Sequence, residues 1–432
     1  MKKPLAVISC PIDTYSGYGA RSRDFVKALI KAKPEWDVKI IGQRWGNTKF
    51  GYLGDHGEDD LISRIIPNVN TRPNVWIQIT VPNEFQPIGE FNIGVTAGIE
   101  TTICHESWVQ GVNRMNLILT SAEHAKNVFE NSIYAQQDNK GNKVGELKVN
   151  KPIEVLFEGV NTKTYFKTKS NNNSKVVKTL DEVKESFCFL LVGHWLDGEF
   201  GHDRKNIGLT IERFINTFRT QLNKPALILK TQAANSGLLD QTSILKKIDD
   251  IRTKIGGANF PNIYLLHGEL PDEEINELYN HPKIKAMVSF TKGEGFGRPL
   301  LEFTTTGKPI ISSAWSGLVD FLRRDLNLLV GGKLNDVHPS AFMKDMIIEK
   351  SKWFDIDPEQ ASKALKEVFK NYKKYLPLAK RQSKVTAKFY TLEKMKDKLK
   401  EHLDKYIPVI AVQQQFKAPL PQEIKLPKRP KK

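Results

Sequence analysis

Two glutamates frame a glycine-rich turn in the segment KGEGFGRPLLEF, residues 292–303. Glu294 stands among three glycines, and Glu302 follows after seven intervening residues. A β-like run precedes the turn, and Pro299 suits the first turn of a helix. Glycines let backbone N–H groups approach a phosphate, and a helix N-terminus favours negative charge. The segment therefore indicates an anion-binding turn with two acids directed at a ligand, although a tight turn with both acids in water would have the same sequence.

Two loops of the N-terminal half also carry polar residues after strand-like runs. They are YSGYGARSRDF, with Gly17, Gly19 and Arg21, and TAGIETTICHESW, with Glu100, Thr101 and His105. Arg21 can bind an anion or serve as plain surface charge. His105 can face a ligand or be a packed core histidine, and because no second histidine follows in HExxH spacing, a zinc protease is excluded. Glu100 and Thr101 are better candidates than His105 for contact with a ligand.

The C-terminal half places cations in similar positions. Arg204 and Lys205 are adjacent in the loop HDRKN, where two positive charges can stabilise a phosphate or simply be solvated. Lys230 ends the run LILKTQA, and it can reach a phosphate or be an ordinary surface lysine. The three cations are therefore candidates for an anion site.

Strand-like and helix-like segments alternate around these candidates. Apolar strands are predicted at PLAVISC, DVKIIG, NVWIQIT, FNIGVTA, NLILTS and PIEVLFE, and then at FCFLLVG, ALILKT, NIYLLHG, AMVSFT and PIISSA. Amphipathic patterns lie between them, and in SAEHAKNVFENS the first serine, Ser121, is a predicted N-cap. The polar stretch at 136–151 predicts a hairpin or a flexible loop. Alternation at this spacing predicts two parallel sheets, each covered by helices.

Changes in pattern divide the chain into regions. We predict an N-terminal Rossmann-like domain over 1–167 and a C-terminal Rossmann-like domain over 187–385. Between them, residues 168–186 lose hydrophobic periodicity and carry an Asn/Ser cluster, which is typical of a linker. A helix at about 386–406 is expected to pack back on the N-terminal domain. Residues 407–432 contain five prolines and end in lysines, and they predict a basic extended tail.

Composition indicates a soluble globular protein, with 40% apolar and 26% charged residues among 432. No apolar run is long enough to span a membrane or to act as a signal peptide, so a cytoplasmic chain is expected. Cys10, Cys104 and Cys188 lack CxxC spacing and are predicted to be buried free thiols. Much of the net charge of +16 lies in residues 366–432, which hold 19 Lys/Arg against 6 Asp/Glu.

Several segments together resemble one protein family. KGEGFGRPLLEFTTTGKPIISS is similar to the E-x7-E segment of retaining GT-B glycosyltransferases of glycosyltransferase family 4, the glycosyl transferases group 1. PIEVLFEGVNTKTYF resembles the interdomain signature of that family, and FLLVGHWLDGEFGHDRKNIGLTIERF resembles the first strand and basic loop of its C-terminal domain. The resemblance covers nearly the whole region 150–325. It implies an α/β GT-B fold, in which two Rossmann-like parallel-sheet domains face each other across a cleft. The first, 1–167, would be the acceptor domain, and the second, 187–385, the nucleotide-sugar donor domain.

The resemblance also implies roles for the candidates of the C-terminal half. Glu302 would accept hydrogen bonds from the ribose hydroxyls of a sugar nucleotide, and Glu294 would contact the donor sugar. Arg204 and Lys205 would stabilise the leaving diphosphate, so that no metal and no cofactor is expected. Backbone groups of Gly295, Phe296 and Gly297 would bind the sugar and the diphosphate, and the backbone near His267 would bind the base. Lys230 would reach the phosphate with its side chain. His194 stands where many members carry an arginine, which leaves open how the diphosphate is held.

On the N-terminal side, the resemblance places Gly17 and Gly19 beside the phosphates. Glu100, Thr101, His105 and Arg21 would face the donor sugar and the acceptor. A DxD pattern in FDIDPEQ, which binds metal in another transferase fold, is interpreted instead as an N-cap at Asp357.

The resemblance implies a retaining transfer from a nucleotide-diphosphate sugar, with a UDP-sugar favoured over a GDP-sugar. Two acceptors are open. The basic C-terminal region favours hydroxymethylated bases in DNA, as in phage-type DNA glycosyltransferases, with DNA as a partner. Saccharides, lipids or proteins of the cell envelope are the alternative, and there the same charge would contact an anionic membrane. A non-catalytic basic nucleic-acid-binding protein is a third interpretation, which the two glutamates disfavour because DNA binding alone needs neither.

Overall fold

The computed structural model describes residues 3–169, 174–195, 198–233 and 237–409. The N-terminal half is built of eight strands and five helices, with a short 3-10 turn at Pro82–Glu84. The strands are β1 Leu5–Cys10, β2 Asp37–Gly42, β3 Val75–Ile79, β4 Phe91–Thr96, β5 Leu117–Thr120, β6 Tyr134–Gln137, β7 Lys143–Leu147 and β8 Ile153–Val155. The helices are α1 Gly17–Ala32, α2 Tyr52–Asp55, α3 Asp59–Ile62, α4 Glu106–Arg114 and α5 Glu123–Asn131.

The C-terminal half repeats this alternation, with a second 3-10 turn at Pro339–Ala341. Its strands are β9 Cys188–Val192, β10 Ala226–Lys230, β11 Ile263–Leu266, β12 Ile284–Ser289, β13 Ile310–Ser313, β14 Leu328–Val330, β15 Gly332–Asp336 and β16 Lys352–Ile356. Its helices are α6 Lys175–Asp181, α7 Ile207–Phe218, α8 Leu238–Ile255, α9 Asp272–Asn280, α10 Arg298–Thr304, α11 Leu318–Phe321, α12 Pro358–Lys370, α13 Tyr372–Phe389 and α14 Leu392–Tyr406.

Each half forms one six-stranded sheet in which all neighbouring strands are parallel. The strand orders are β2-β1-β3-β4-β5-β8 and β11-β10-β9-β12-β13-β14. The order reverses beside β1 in the first sheet and beside β9 in the second. Ligands of open parallel sheets bind outside the carboxyl ends of the strands at such reversals. The prediction of two parallel-sheet domains is confirmed, and the glycine turn after β12 lies at the reversal of the second sheet.

Alternating residues of the central strands bury both faces of each sheet. In β1, Ala6 and Ile8 belong to one apolar cluster and Val7 to another on the opposite face. In β9, Leu190 and Phe189 are divided in the same way. Continuous apolar runs are typical of strands covered on two sides, because both side-chain directions point into a core. The three cysteines are buried free thiols, as predicted.

The chain crosses back to the first domain near its C-terminus. After α13, residues 390 and 391 break the helix predicted at about 386–406, and α14 then packs against α1. Met395, Leu399 and Leu403 complete the apolar core of the first domain. The helix α14 is therefore part of the N-terminal domain in the structure, although it comes last in the sequence.

Three further segments differ from, or refine, the sequence prediction. The segment 168–186 contains the helix α6, whose Val176, Val177 and Leu180 pack into the core of the second domain. A linker prediction based on lost periodicity missed it, because seven residues show only two turns of apolar spacing. The stretch at 136–151 is a hairpin, in which β6 pairs antiparallel with β7. The predicted tail lies outside the described residues from residue 410 onward.

None of the described helices is both long enough and apolar enough to cross a membrane.

Candidate active site

A cavity of about 540 Å³ lies between the carboxyl ends of the two sheets. The cavity is lined by residues of both domains and of the crossover between them, which follows β8 and comprises residues 156–160. The N-terminal contribution includes Gly17, Tyr18, Arg21, Trp45, Thr48, Thr96, Glu100, Ser121 and Glu158, and the C-terminal contribution includes Gly193, His194, Arg204, Lys205, Lys230, Gln232, Glu269, Glu294, Gly295, Phe296, Gly297 and Arg298. Most of the candidates predicted from separate sequence segments therefore meet in one space.

Glu294 is the centre of the charged groups in this cavity. The turn after β12 is fixed from both sides, since the Glu294 N–H donates to Ser316 Oγ at 2.8 Å and Gly317 N–H donates to the Glu294 carbonyl at 3.1 Å. Lys205 Nζ donates to both carboxylate oxygens, at 2.7 and 2.8 Å. Arg204 Nη1 lies 3.3 Å from Glu294 Oε2. One buried acid thus pairs with two adjacent cations.

The charge balance decides the ionisation of this group. Burial raises the pKa of the Glu294 carboxyl, but Lys205 and Arg204 outweigh burial and leave the pKa below its usual range. Burial works against the charged form of Arg204, but Glu100 and Glu294 outweigh it and raise the pKa of the guanidinium. The acid is therefore an anion and Arg204 a cation at neutral pH, and both are available to a polar ligand.

Arg204 also joins the two domains. Its Nη1 lies 3.1 Å from Oε1 of Glu100, which follows β4 of the first sheet, and it donates to the Gly293 carbonyl at 2.8 Å. Glu100 and Arg204 are 104 positions apart in the sequence, yet they meet because both follow strands whose carboxyl ends face the cleft. Glu100, Arg204 and Glu294 therefore form one continuous ion-pair network, which was not predicted from the sequence.

The glycine turn of the second domain lies in direct contact with loops of the first domain. Ser121 Oγ donates to the Gly295 carbonyl at 2.9 Å across the cleft. The sequence pattern predicts Ser121 as the N-cap of α5, but the N-cap is the next residue, Ala122. A Cβ atom on Gly295 would lie 2.9 Å from the Ala97 Cβ of the first domain, so only glycine permits this approach. Gly297 has φ of 100°, which also favours glycine, and it is the N-cap of α10.

Glu302 occupies a different position from Glu294. It is buried on α10, where Arg298 Nε donates to its Oε1 at 2.9 Å and Tyr279 lies 3.5 Å from its Oε2. Arg298 lines the cavity, whereas Glu302 does not. Burial raises the pKa of the Glu302 carboxyl to about 8, although Arg298 opposes the effect. The two glutamates of the E-x7-E segment thus have opposite pKa shifts and different access to the cavity.

Lys230 and its neighbours form the cavity wall on the opposite side of β9 from the glycine turn. Lys230 Nζ donates to the Gly268 carbonyl at 2.5 Å, and burial lowers the pKa of the amine. His194 lies in the same wall, where burial and the charge of Lys205 lower the pKa of the imidazole. Gln232 Nε2 donates to Glu269 Oε1 at 2.5 Å. This wall offers hydrogen-bond donors and one buried cation at the carboxyl ends of β9, β10 and β11.

Besides Glu302, four sequence candidates lie outside the cavity lining. Thr101 is buried and donates to the Ile103 carbonyl, and His105 caps α4 by accepting from the Ser107 N–H at 3.2 Å. His267 Nε2 lies 2.7 Å from Asp240 Oδ2. Gly19 lies within the first turn of α1 and donates to Ser16 Oγ. Each of these groups already has a hydrogen-bond or ion-pair partner within the protein. A sequence motif does not reveal such partners.

Arg21 lines the cavity, but its guanidinium is already bonded. Its Nη1 donates to the Phe157 carbonyl at 2.9 Å and its Nη2 to the Leu156 carbonyl at 2.5 Å. Burial lowers the pKa of this arginine. Arg21 therefore ties α1 to the crossover after β8, and an anion would compete with two backbone carbonyls for it.

The sequence candidates missed several residues that line the cavity. Trp45 stacks on Tyr18 with ring centroids 4.0 Å apart, and the Tyr18 hydroxyl is held by Thr96 and the Ala97 N–H. Gln232 and Glu269 were also missed. Trp45, Gln232 and Glu269 follow β2, β10 and β11, so the rule that ligands bind beyond parallel strands would have found them.

The predicted alternative to a metal-binding DxD is confirmed. Asp357 is the N-cap of α12, and its side chain accepts from the backbone N–H groups of Glu359 and Gln360. Asp355, the other acid of the pattern, pairs with Lys292. Both acids thus have structural partners.

One family model matches a segment of the chain. Residues 249–336 match the model of the family "Glycosyl transferases group 1". This segment contains the glycine turn and both glutamates. No curated protein matches the sequence.

Solved structures share the fold over nearly the whole chain. A glycosyltransferase from Rickettsia africae is 12% identical with a TM-score of 0.64, over 95% of this chain and 100% of that chain. HepE from Anabaena, solved in complex with UDP-glucose, is 12% identical with a TM-score of 0.61, over 93% and 99%. A sucrose-phosphate synthase from Thermosynechococcus elongatus is 11% identical with a TM-score of 0.59, over 94% and 99%.

At these identities the structural likeness concerns the fold, and it confirms the predicted two-domain GT-B arrangement. The family match adds the segment in which the two glutamates lie. Together the family match and the shared fold support a GT-B glycosyltransferase.

Proposed function

We propose that the protein transfers a sugar, with retention of anomeric configuration, from a nucleotide-diphosphate sugar to an acceptor hydroxyl. The observation that carries the proposal is the buried Glu294, paired with Lys205 and Arg204 at the strand-order reversal of the second sheet. An acid at this position can accept hydrogen bonds from sugar hydroxyls, and two cations can bind a diphosphate. UDP-glucose in the HepE structure favours a UDP-sugar as the donor to test first.

In this proposal, the chain's own groups accelerate transfer by position and charge. Arg204 and Lys205 would stabilise the negative charge that develops on the leaving diphosphate, and Lys230 would bind it from the opposite wall. The leaving oxygen would take the proton of the incoming hydroxyl on the same face of the sugar. Glu100 and Glu294 would hold the cations and the sugar in place, while the closed cleft excludes water.

The first experiment measures the release of nucleoside diphosphate from UDP- and GDP-sugars, with the anomeric configuration of the product read by NMR. We expect release with one donor class and an axial or equatorial product that matches the donor. Glu294→Gln keeps the shape of the side chain but loses its charge, and it should lower the rate by a factor of 100 or more, about 3 kcal/mol. Asp325→Asn, an exposed acid far from the cavity lining, is the matched control. No release with any donor, or an unchanged rate in Glu294→Gln, contradicts the proposal.

For the acceptor, we propose DNA that carries hydroxymethylated bases. The support is helix α13, which holds six basic residues and no acidic residue in its 18 positions. Within the described part of the chain, Lys373, Lys380, Lys384 and Lys388 pair with no carboxylate, whereas five lysines of α14 each lie within 4.0 Å of one. The last three of the α13 lysines are spaced by four residues and so share one face of the helix.

The end of α13 reaches the crossover between the domains. Tyr390, directly after the helix, packs against Phe157 with ring centroids 5.2 Å apart, and Glu158 lines the cavity. A DNA duplex bound along the lysine face of α13 would therefore have one end close to the crossover. Each lysine on a phosphate releases a counterion, which makes such binding depend steeply on salt.

The acceptor experiment compares duplex DNA affinity at several salt concentrations in the wild type and in a variant with Lys380, Lys384 and Lys388 changed to Gln. We expect the slope of log affinity against log salt to fall by about 3. The control variant changes Lys394, Lys398 and Lys400 of α14 to Gln. Equal slopes in all three proteins contradict a DNA role for α13. Transfer to an envelope extract but not to hydroxymethylated DNA would replace DNA by the alternative acceptor.

A further inference from the structure

Arg298 connects the two domains through a network of carboxylates. It is the first residue of α10, and its Nη1 donates to Asp24 Oδ2 of α1 at 2.6 Å. Its Nε donates to Glu302 Oε1 on the same helix at 2.9 Å, and Glu158 of the crossover lies 3.9 Å from Nη1. One guanidinium thus contacts acids of the first domain, of the second domain and of the segment between them.

The planar guanidinium makes this arrangement directional. Nε and Nη1 are separate donors in a fixed fork, so the position of Glu302 depends on the position of Asp24. A lysine has one ammonium group and cannot hold the same two acids in this geometry. Because Asp24 lies on α1, separation of the two domains would withdraw one partner from Arg298 and loosen its hold on Glu302.

The Glu302 carboxylate keeps capacity for a further ligand. Oε1 accepts from Arg298, whereas the nearest donor to Oε2 among the described residues is the Tyr279 hydroxyl at 3.5 Å, which is a long contact. A carboxylate can accept about four hydrogen bonds. Arg298 and Pro299, in the first turn of the same helix, line the cavity.

We infer that Arg298 is a positioning residue, which orients Glu302 toward the donor ribose and ties donor recognition to the contact between the two domains. The inference rests on the proposed function and on the role that the family resemblance implies for Glu302, namely that it accepts hydrogen bonds from the ribose. The sequence motif alone gives no role to the arginine directly after the glycine turn. In this inference that arginine, Arg298, has one.

The charged and titratable groups around Glu302 give the inference a pH signature. They are Arg298 on α10, Asp272 and Tyr279 on α9, Asp24 on α1, and Tyr165 after the crossover. Burial raises the pKa of Glu302 to about 8, and Arg298 opposes that rise. Since the anion is the better acceptor, donor affinity should increase as pH rises through about 8. Without Arg298 the increase should move to higher pH.

The experiment measures binding of UDP-glucose and GDP-mannose by calorimetry between pH 6.5 and 9, without acceptor. We expect Arg298→Met to weaken binding about tenfold at pH 7.5, and Arg298→Lys to regain part of the loss. Asp24→Asn should weaken it in the same direction by about threefold, since it removes only the contact across the domains. Arg323→Met, which removes an exposed arginine, should bind like the wild type.

A double-mutant cycle separates positioning from a structural effect. If Arg298 acts through Glu302, the variant with both Arg298→Met and Glu302→Gln should bind no more weakly than Glu302→Gln alone. Glu302→Gln should also lose the pH dependence near pH 8. Additive losses in the double variant, or wild-type binding by both Arg298→Met and Asp24→Asn, overturn the inference. Absence of donor binding in the wild type would instead overturn the proposed function, and the inference with it.

Discussion

Gly295→Ala tests whether the closed cleft is the working geometry. A Cβ atom at this position would lie 2.9 Å from Ala97 Cβ and 3.1 Å from the Ala97 carbonyl oxygen. Carbon atoms pack best at about 3.5–4.0 Å, so the two loops would have to separate by about 1 Å. The 2.9 Å hydrogen bond from Ser121 to the Gly295 carbonyl would then exceed its normal length.

The structural loss is small, but the expected loss of activity is large. Breaking one hydrogen bond between the domains costs about 1 kcal/mol, and neither domain core loses a contact. A displacement of about 1 Å between reacting groups can lower the rate roughly a hundredfold. We therefore expect Gly295→Ala to lower kcat by about 10- to 100-fold, measured as nucleoside diphosphate release, with a thermal unfolding midpoint within about 2 °C of the wild type.

A compensating change makes this prediction specific. Ala97→Gly removes the opposing Cβ atom, so the variant with both substitutions should regain part of the lost kcat. Ala97→Gly alone should have little effect, because it only removes a methyl group from the contact. Full activity in Gly295→Ala would refute the reasoning, since the closed contact would then be unnecessary for turnover. Equal loss in the single and double variants would place the effect in the turn itself.

Three further predictions concern other parts of the molecule. Lys230→Met should raise the KM for the donor at least tenfold with a smaller change in kcat, because this buried amine lies in the cavity wall and bonds to a single carbonyl oxygen; equal KM values would exclude it from donor binding. Leu399→Ala should lower the free energy of unfolding by about 2–5 kcal/mol, whereas the exposed Lys398→Ala should change it little, as measured with denaturant. Burial raises the pKa of Asp320 to about 6, so the folded protein holds this proton at pH values where the unfolded chain releases it, and stability from this group falls as pH rises from about 4 to 6. Asp320→Asn should flatten that part of the stability curve by roughly 2 kcal/mol, and an unchanged curve would contradict the assignment.

Local patterns predicted the elements of this fold well, because their causes are local. Apolar runs such as that of β9 are buried on both faces, and Asp357 followed by proline is an N-cap as its sequence predicts. The short helix α6 was missed where polar asparagines precede it. The break between α13 and α14 was also missed, since both helices have continuous amphipathic patterns.

The candidate site was predictable where backbone geometry alone places a residue. Glu294, Gly295 and Lys205 follow strands at the strand-order reversal, so their position depends mainly on sheet topology. His267 and Thr101 belong to the same kind of loop, yet their side chains bond to neighbours outside the cavity. Sequence patterns locate loops, but they do not decide which way a side chain in the loop points.

The sequence by itself determined that two parallel sheets form and that a glycine turn with two acids follows one of their strands. Only the tertiary structure decided that the two acids differ, with Glu294 paired to cations in the cavity and Glu302 buried beside Arg298. It also decided that Glu100 meets Arg204, and Asp24 meets Arg298, across the cleft. The physical reason is that hydrophobic periodicity acts within an element, whereas ion pairing, burial and pKa depend on which distant elements come together.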